Sequence, residues 1–281
     1  MSLVSMSQIL EQANQEGYAV GGFNMNNLEF LQAIIEASEE ENSPVILQAS
    51  EGALRYMNMH IALPMAISAA ENADIPVAIH LDHGSGFTKI IECIRNGFTS
   101  VMIDGSKSPF EENVALTQKV VEAAHAVGVS VEAELGKIGG AEDDHVVKNA
   151  SLADPDECVE FVERTNVDAL AVAFGTAHGV YKGEPELDFE LLDEVNNRIN
   201  LPIVMHGASG VPEESVVKAI ELGVNKINVN TAFQQAWTAK VREVLEDPDI
   251  YDPRKVCGPG RDAMKEAVKE KIRLFGSDNK A

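Results

Sequence analysis

A single (β/α)8 barrel spanning residues 1–281 is the fold this sequence predicts, and three observations lead to it. Eight short apolar, β-branched runs recur along the chain, each is followed by a polar or glycine-containing junction and then a helical pattern, and no linker-like change of composition divides the 281 residues. A doubly wound open sheet is the competing arrangement; eight unbroken alternations favour closure.

Taken in order, the strands are "AVGGFNM", "PVILQAS", "PVAIHLDHG", "SVMIDGS", "VSVEAELG", "ALAVAFGTAHG", "PIVMHGASG" and "KINVNTA". The segments between them, such as "NLEFLQAIIEASEEE", "EENVALTQKVVEAAHAVG" and "PEESVVKAIELG", carry helical spacing. Asp154 before Pro155 predicts an N-cap with proline in the first turn, and Gly128 and Gly223 stand where C-terminal caps belong. One stretch, "LGKIGGAEDDHVVKNASLADPDE", is long and helix-poor, and its glycines predict a mobile loop over an active site around residues 136–152.

Forty-five acidic against 22 basic residues give a formal charge of −23, which would repel a nucleic-acid backbone and an anionic membrane surface alike. Neither is an expected partner. Cys93, Cys158 and Cys257 are odd in number, widely spaced and form no Cys-x-x-Cys pair, the pattern of reduced thiols. With no basic-flanked apolar leader and no apolar run near the ~20 residues a spanning helix needs, a soluble cytoplasmic protein is expected.

Polar residues collect at the strand C-terminal ends: Asn24, Ser50, Asp82 with His83, Asp104, Glu134, His178, His206, then Asn228, Asn230 and Thr231. A barrel brings those ends to one face, where active sites are built. His83, His178 and His206 would then meet at the third, sixth and seventh strand ends, and three neutral imidazoles with one open position make a catalytic zinc site. Each is followed by glycine, which lets the backbone turn sharply. His80, inside the third strand, is expected beneath them, while His60, His125 and His145 lack this placement. "HGASG" and "NVNTA" each lead into a helix and offer small residues and amides to a phosphate.

The motifs "HLDHG", "VMIDGS", "EAELGKIGGAEDD", "GTAHGVYKGEP", "VMHGASGVP" and "KINVNTA", in this order, resemble those of the class II, metal-dependent ketose-bisphosphate aldolases over nearly the whole chain. The resemblance implies Zn2+ on His83, His178 and His206, Asp82 as the acid/base at the hydroxyl of the bond being cleaved, and Asp104 and Glu134 at a second or alternate metal position. It further implies Glu142 as the proton-transferring carboxylate of the three-carbon half. Gly179, Gly207, Ala208, Ser209, Asn228, Val229, Asn230 and Thr231 match the dihydroxyacetone phosphate pocket, with Lys182 assisting. Arg254 matches the arginine of the far phosphate, and Asn24 and Ser50 match further substrate positions.

A second divalent metal, a monovalent cation and a homodimer or homotetramer are also implied. Fructose and tagatose bisphosphates differ at one carbon beside Asp82. "HGASG" resembles tagatose-type members; "INVNT" and "GPGRDAM" resemble the fructose type, which is favoured. A zinc hydrolase on the same fold is the alternative of another class, although "GGFNMNN" lacks the His-x-His pair such barrels often carry on the first strand.

Overall fold

Strands covered on both faces need apolar residues on both, and the barrel strands of this chain are buried along nearly their whole length. The computed structural model describes residues 2–142, 145–147, 149–181 and 183–281, with backbone only for 141–142 and 145–147. Its strands are β1 (Val20–Asn24), β2 (Val45–Ser50), β3 (Val77–Gly84), β4 (Ser100–Ile103), β5 (Ser130–Leu135), β6 (Gly139–Glu142), β7 (His145–Val147), β8 (Ala169–Val172), β9 (Ala177–His178), β10 (Ile203–Met205) and β11 (Val224–Val229). The helices are α1 (Met6–Glu16), α2 (Leu28–Glu40), α3 (Glu51–Met57), α4 (Met59–Asn72), α5 (Phe87–Asn96), α6 (Phe110–His125), α7 (Pro155–Thr165), α8 (Phe189–Arg198), α9 (Glu213–Glu221), α10 (Thr231–Val244) and α11 (Pro253–Phe275). Eight strands close a parallel barrel in the order β1-β11-β10-β8-β5-β4-β3-β2. The predicted (β/α)8 fold is the observed one.

Alternation along the strands separates two apolar clusters. Val45, Leu47, Val77, Ile79, Leu81, Val131, Ile203 and Ile227 face outward into the layer shared with the helices. Val20, Ile46, Ala78, Met102, Ala169, Ala171 and Val204 face inward and form the barrel floor, which α1 closes from below with Met6, Ile9, Leu10 and Ala13. Ser5 and Gln8 make a capping box at the start of α1, and Gly17 ends it in the left-handed region. Above the floor the inward positions turn polar: Gln48, His80, Glu132 and Lys226 first, then Asn24, Asp82, Glu134, His206 and Asn228, all buried. The change follows the strand direction, so the polar end of the bore is its C-terminal mouth.

Local punctuation was largely legible. Asp154 accepts from the amides of Asp156 and Glu157, with Pro155 opening α7, as predicted. Gly128 and Gly223 are left-handed (φ 76° and 97°), but one or two residues beyond the caps themselves, Ala126 and Leu222.

One expectation needs correction. "ALAVAFGTAHG" is not one strand: β8 ends at Val172, and His178 lies on β9, outside the barrel. Within the helix-poor segment after β5, β6 pairs antiparallel with β7 and parallel with β9, joining Gly140 to His178. A strand ending at Val172 leaves the backbone of 177–178 with no barrel neighbour, and β6 supplies its ladder.

Among the described residues no helix is long and apolar enough to cross a membrane. Leu10 is wholly buried in the floor, so Leu10→Ala should cost about 2–5 kcal/mol of stability in equilibrium urea unfolding. A loss under about 1 kcal/mol would mean that α1 does not close the barrel.

Candidate metal centre and substrate pocket

The barrel closes His83, His178 and His206 into one group, with ring centroids 4.7–5.7 Å apart and ligand nitrogens within 4.8 Å of one another. His83 Nε2 and His206 Nδ1 approach to 3.0 Å. Burial holds His178, His206 and His80 well below the ordinary imidazole value, with neighbouring positive charge in the same direction. These rings are therefore neutral, the form that offers a lone pair to a cation.

His83 is reached by a bulge between Leu81 and Gly84 and has a φ of 49°, a left-handed conformation that costs a non-glycine residue about 1–3 kcal/mol. Here the sharp turn falls on the histidine and not on the glycine after it. At Gly207 the glycine itself turns (φ 67°), and a Cβ there would lie 2.5 Å from Ala177 O.

On its other side, His83 Nδ1 lies 3.3 Å from Asp104 Oδ2 and 4.0 Å from Glu134 Oε2, a second group of ligand type. Glu134 Oε2 is buried without a hydrogen-bond partner, which suits a position waiting for a cation. Burial drives Asp104 upward, but the bond and charge of His83 and the hydroxyl and amide of Ser106 outweigh it and hold the group below the carboxylate range. Glu134 goes the other way. Burial first, then the Asp104 charge, push it up to about 8.

Asp82 is wholly buried, yet its carboxyl is held below the ordinary carboxylate value: burial raises it, and positive charge at His83 and Lys226 with a bond from Asn24 outweighs that. Its Oδ2 accepts from Asn24 Nδ2 (2.9 Å) and Gln48 Nε2 (3.2 Å), and its Oδ1 from Asn228 Nδ2 (3.3 Å). Hydrogen bonds to a charged group contribute about 1.5–3 kcal/mol each, so the amides can offset the cost of desolvation. Beneath, Glu132 bonds His206 Nε2 at 2.8 Å and Lys226 Nζ at 2.7 Å. His80 Nδ1 bonds Ser100 Oγ at 2.7 Å, as a residue below the site. Lys226 is fully buried in this ion pair and so is no free amine.

Gln48 and Glu132 were missed in the sequence, although each stands two positions before a residue that was singled out, Ser50 and Glu134. A third missed residue is Tyr181, whose hydroxyl accepts from Ala177 N–H (2.7 Å) and donates to Gly207 O (2.9 Å), tying the two ligand-bearing loops together.

Beside the histidines in sequence, Asn230 begins α10 without a side-chain cap, and the Ala232 amide donates instead to Ser209 Oγ at 3.3 Å. Asn26 Nδ2 donates to Asn230 Oδ1 (2.9 Å) and fixes it. Gly179, Ala208, Val229 and Thr231 flank these groups in sequence, and Ser50 ends β2 in register with Asp82. Lys182 and the side chain of Glu142 lie outside the described residues. Arg254 is not drawn into the group: its guanidinium is bound to Asp252 and its side chain is 88% exposed.

A buried carboxylate beside converging neutral imidazoles, at the open face of a parallel barrel, is the arrangement of a candidate metal site on a (β/α)8 fold. The family model "Fructose-bisphosphate aldolase class-II" matches residues 4–280. The chain is 57% identical over 285 residues to a fructose-bisphosphate aldolase of Staphylococcus epidermidis, covering 100% of both chains. With that of Geobacillus stearothermophilus it shares 55%, over 100% of this chain and 99% of the relative. The crystal structure of the YdjI aldolase from Escherichia coli K12 superposes with a TM-score of 0.89 at 39% identity, over 99% of both chains. The chain belongs to the class II fructose-bisphosphate aldolase family, whose members are metal-dependent lyases. The hydrolase alternative falls with that membership.

Glu134 gives a pH dependence with a definite sign. Its ordinary value is 4.5 and its folded value about 8, so between the two the folded, metal-free chain holds a proton that the unfolded chain releases. That contribution to stability is complete below the unfolded value and is lost as pH rises through the folded one. Metal-free wild type should therefore lose stability relative to Glu134→Gln as denaturation is followed from about pH 5 to about pH 8; parallel curves would refute the assignment.

Proposed function

We propose that this protein catalyses the reversible retro-aldol cleavage of fructose 1,6-bisphosphate to dihydroxyacetone phosphate and glyceraldehyde 3-phosphate, using Zn2+ held by His83, His178 and His206. The observation that carries the reading is the meeting of these three imidazoles next to buried, ionised Asp82. The names of relatives at 55–57% identity favour the fructose over the tagatose epimer.

Bound Zn2+ would supply Lewis-acid stabilisation of the negative charge that develops on the ketone half. Asp82, as carboxylate, takes the proton of the C4 hydroxyl as the carbon–carbon bond breaks and returns it in synthesis. The Asn24, Gln48 and Asn228 amides hold it in one orientation while it does so. The first amides of α10, with Ser209, Gly207, Ala208, Gly179, Asn228, Val229, Asn230 and Thr231, bind the phosphate of dihydroxyacetone phosphate, and Lys182 adds positive charge.

Glu142 carries the proton at the carbon of that half, on a strand whose partner β9 bears His178. Asn24 and Ser50 contact the sugar, and Arg254 exchanges Asp252 for the far phosphate. Asp104 and Glu134 would hold a second divalent ion, and a monovalent cation would complete the set. Lys226 is excluded as a Schiff-base lysine by its burial in the Glu132 ion pair.

We place the enzyme in the cytoplasm, in glycolysis and gluconeogenesis, as a homodimer or homotetramer. The cysteines support a reducing compartment: all are free, and burial pushes the Cys93 and Cys158 thiols up to about 12, leaving them inert.

A coupled assay should show cleavage of fructose 1,6-bisphosphate well above that of tagatose 1,6-bisphosphate, and chelation should abolish it where borohydride with substrate does not. Asp82→Asn should keep its zinc and lose roughly 10²–10⁴-fold in kcat. Near-normal turnover in that variant, or inactivation by borohydride, would overturn the mechanism.

A further inference from the structure

Two charged side chains with no part in that mechanism lie wholly buried under the metal centre, Glu132 of β5 and Lys226 of β11. Every oxygen of Glu132 is committed: Oε1 to His206 Nε2 at 2.8 Å, Oε2 to Lys226 Nζ at 2.7 Å, with His80 Nε2 3.5 Å from the same oxygen. Their inward-facing neighbours on the adjoining strands are apolar: Val20 and Val204 stand in register with Lys226, and Met102 with Glu132. Packing therefore had an apolar solution at this depth, and a buried ion pair is often no more stabilising than apolar residues of similar volume. The pair calls for a role beyond filling the barrel.

We infer that Glu132, neutralised by Lys226, is a positioning residue that sets the tautomer of His206 and so decides which ring nitrogen is the metal ligand. An ionised carboxylate only accepts hydrogen bonds, so the nitrogen facing it must carry the proton. His206 is thereby held as the Nε2–H form, with its lone pair on Nδ1. That is the nitrogen 3.0 Å from His83 Nε2, inside the ligand group. Without the carboxylate the two tautomers of a buried neutral ring would compete, and the Nδ1–H form presents a proton where the ion must sit. Lys226 closes the arrangement by occupying the second oxygen, which leaves the first for His206.

The inference rests on His206 being a ligand, and the test separates the two. In the metal-free full-length protein, nitrogen NMR of labelled histidine should find the His206 proton on Nε2. In Glu132→Gln the amide must turn its oxygen toward the Lys226 ammonium and its NH2 toward His206, so the proton should move to Nδ1. Zinc affinity, measured by competition with a chromophoric chelator, should fall about 10–100-fold, and the visible bands of the cobalt-substituted protein should change. A purely structural role would lower the melting temperature and leave the tautomer and the zinc affinity where they were.

A wild-type proton on Nδ1, or unchanged zinc affinity in Glu132→Gln, would overturn the inference. If Glu132→Gln does not fold, the wild-type tautomer decides. A wild-type protein that binds no zinc would refute the ligand reading, whereas zinc bound equally by wild type and variant refutes only the role of Glu132.

Discussion

Everything at the mouth depends on the two-residue period of a strand in a closed barrel. Once the sheet closes, every second residue has nowhere to go but the bore, and its neighbours there come from strands distant in sequence. In "VAIHLDHG" the outward set is Val77, Ile79 and Leu81, while the inward set climbs from Ala78 through His80 to Asp82. The other strands repeat the climb: Val20 to Asn24, Ile46 to Ser50, Val204 to His206. One apolar layer, one ion-paired layer and one reactive layer are stacked by the same rule.

Desolvation is the second consequence of that stacking, and it acts on each group according to its partners. The imidazoles lose water and become neutral. Asp82 loses water too, but the surrounding positive charge and three amides keep it ionised, whereas Glu134, beside the negative charge of Asp104, is driven toward its protonated form. Carboxylates a few strands apart are thus pushed to opposite protonation behaviour by their surroundings, the arrangement the proposed mechanism uses.

Precision at the mouth also depends on parts outside the barrel. The β6–β9 pairing ties the backbone of His178 to the hairpin that follows β5, and the Tyr181 hydroxyl ties the same loop to Gly207 beside His206. Two of the candidate ligands, His178 and His206, are in this way braced against each other. The third, His83, is braced by the bulge that forces its left-handed backbone.

By itself the sequence determined the barrel, the direction of its mouth and the histidines gathered there, because alternation and strand-to-helix punctuation are local and short-range physics reads them directly. Gln48 and Glu132 were legible in principle, as polar residues at inward spacing within apolar runs, but their partners were not: Asp82, His206 and Lys226 reach them only across the bore. The tertiary structure decided that His178 stands on a side strand, that Arg254 turns to Asp252, which ring nitrogens face one another and which carboxyls keep their charge. Apart from the local Arg254–Asp252 pair, these are fixed by contacts between residues tens to hundreds of positions apart, and by the water that closure removes, neither of which has any counterpart in the order of the residues along the chain.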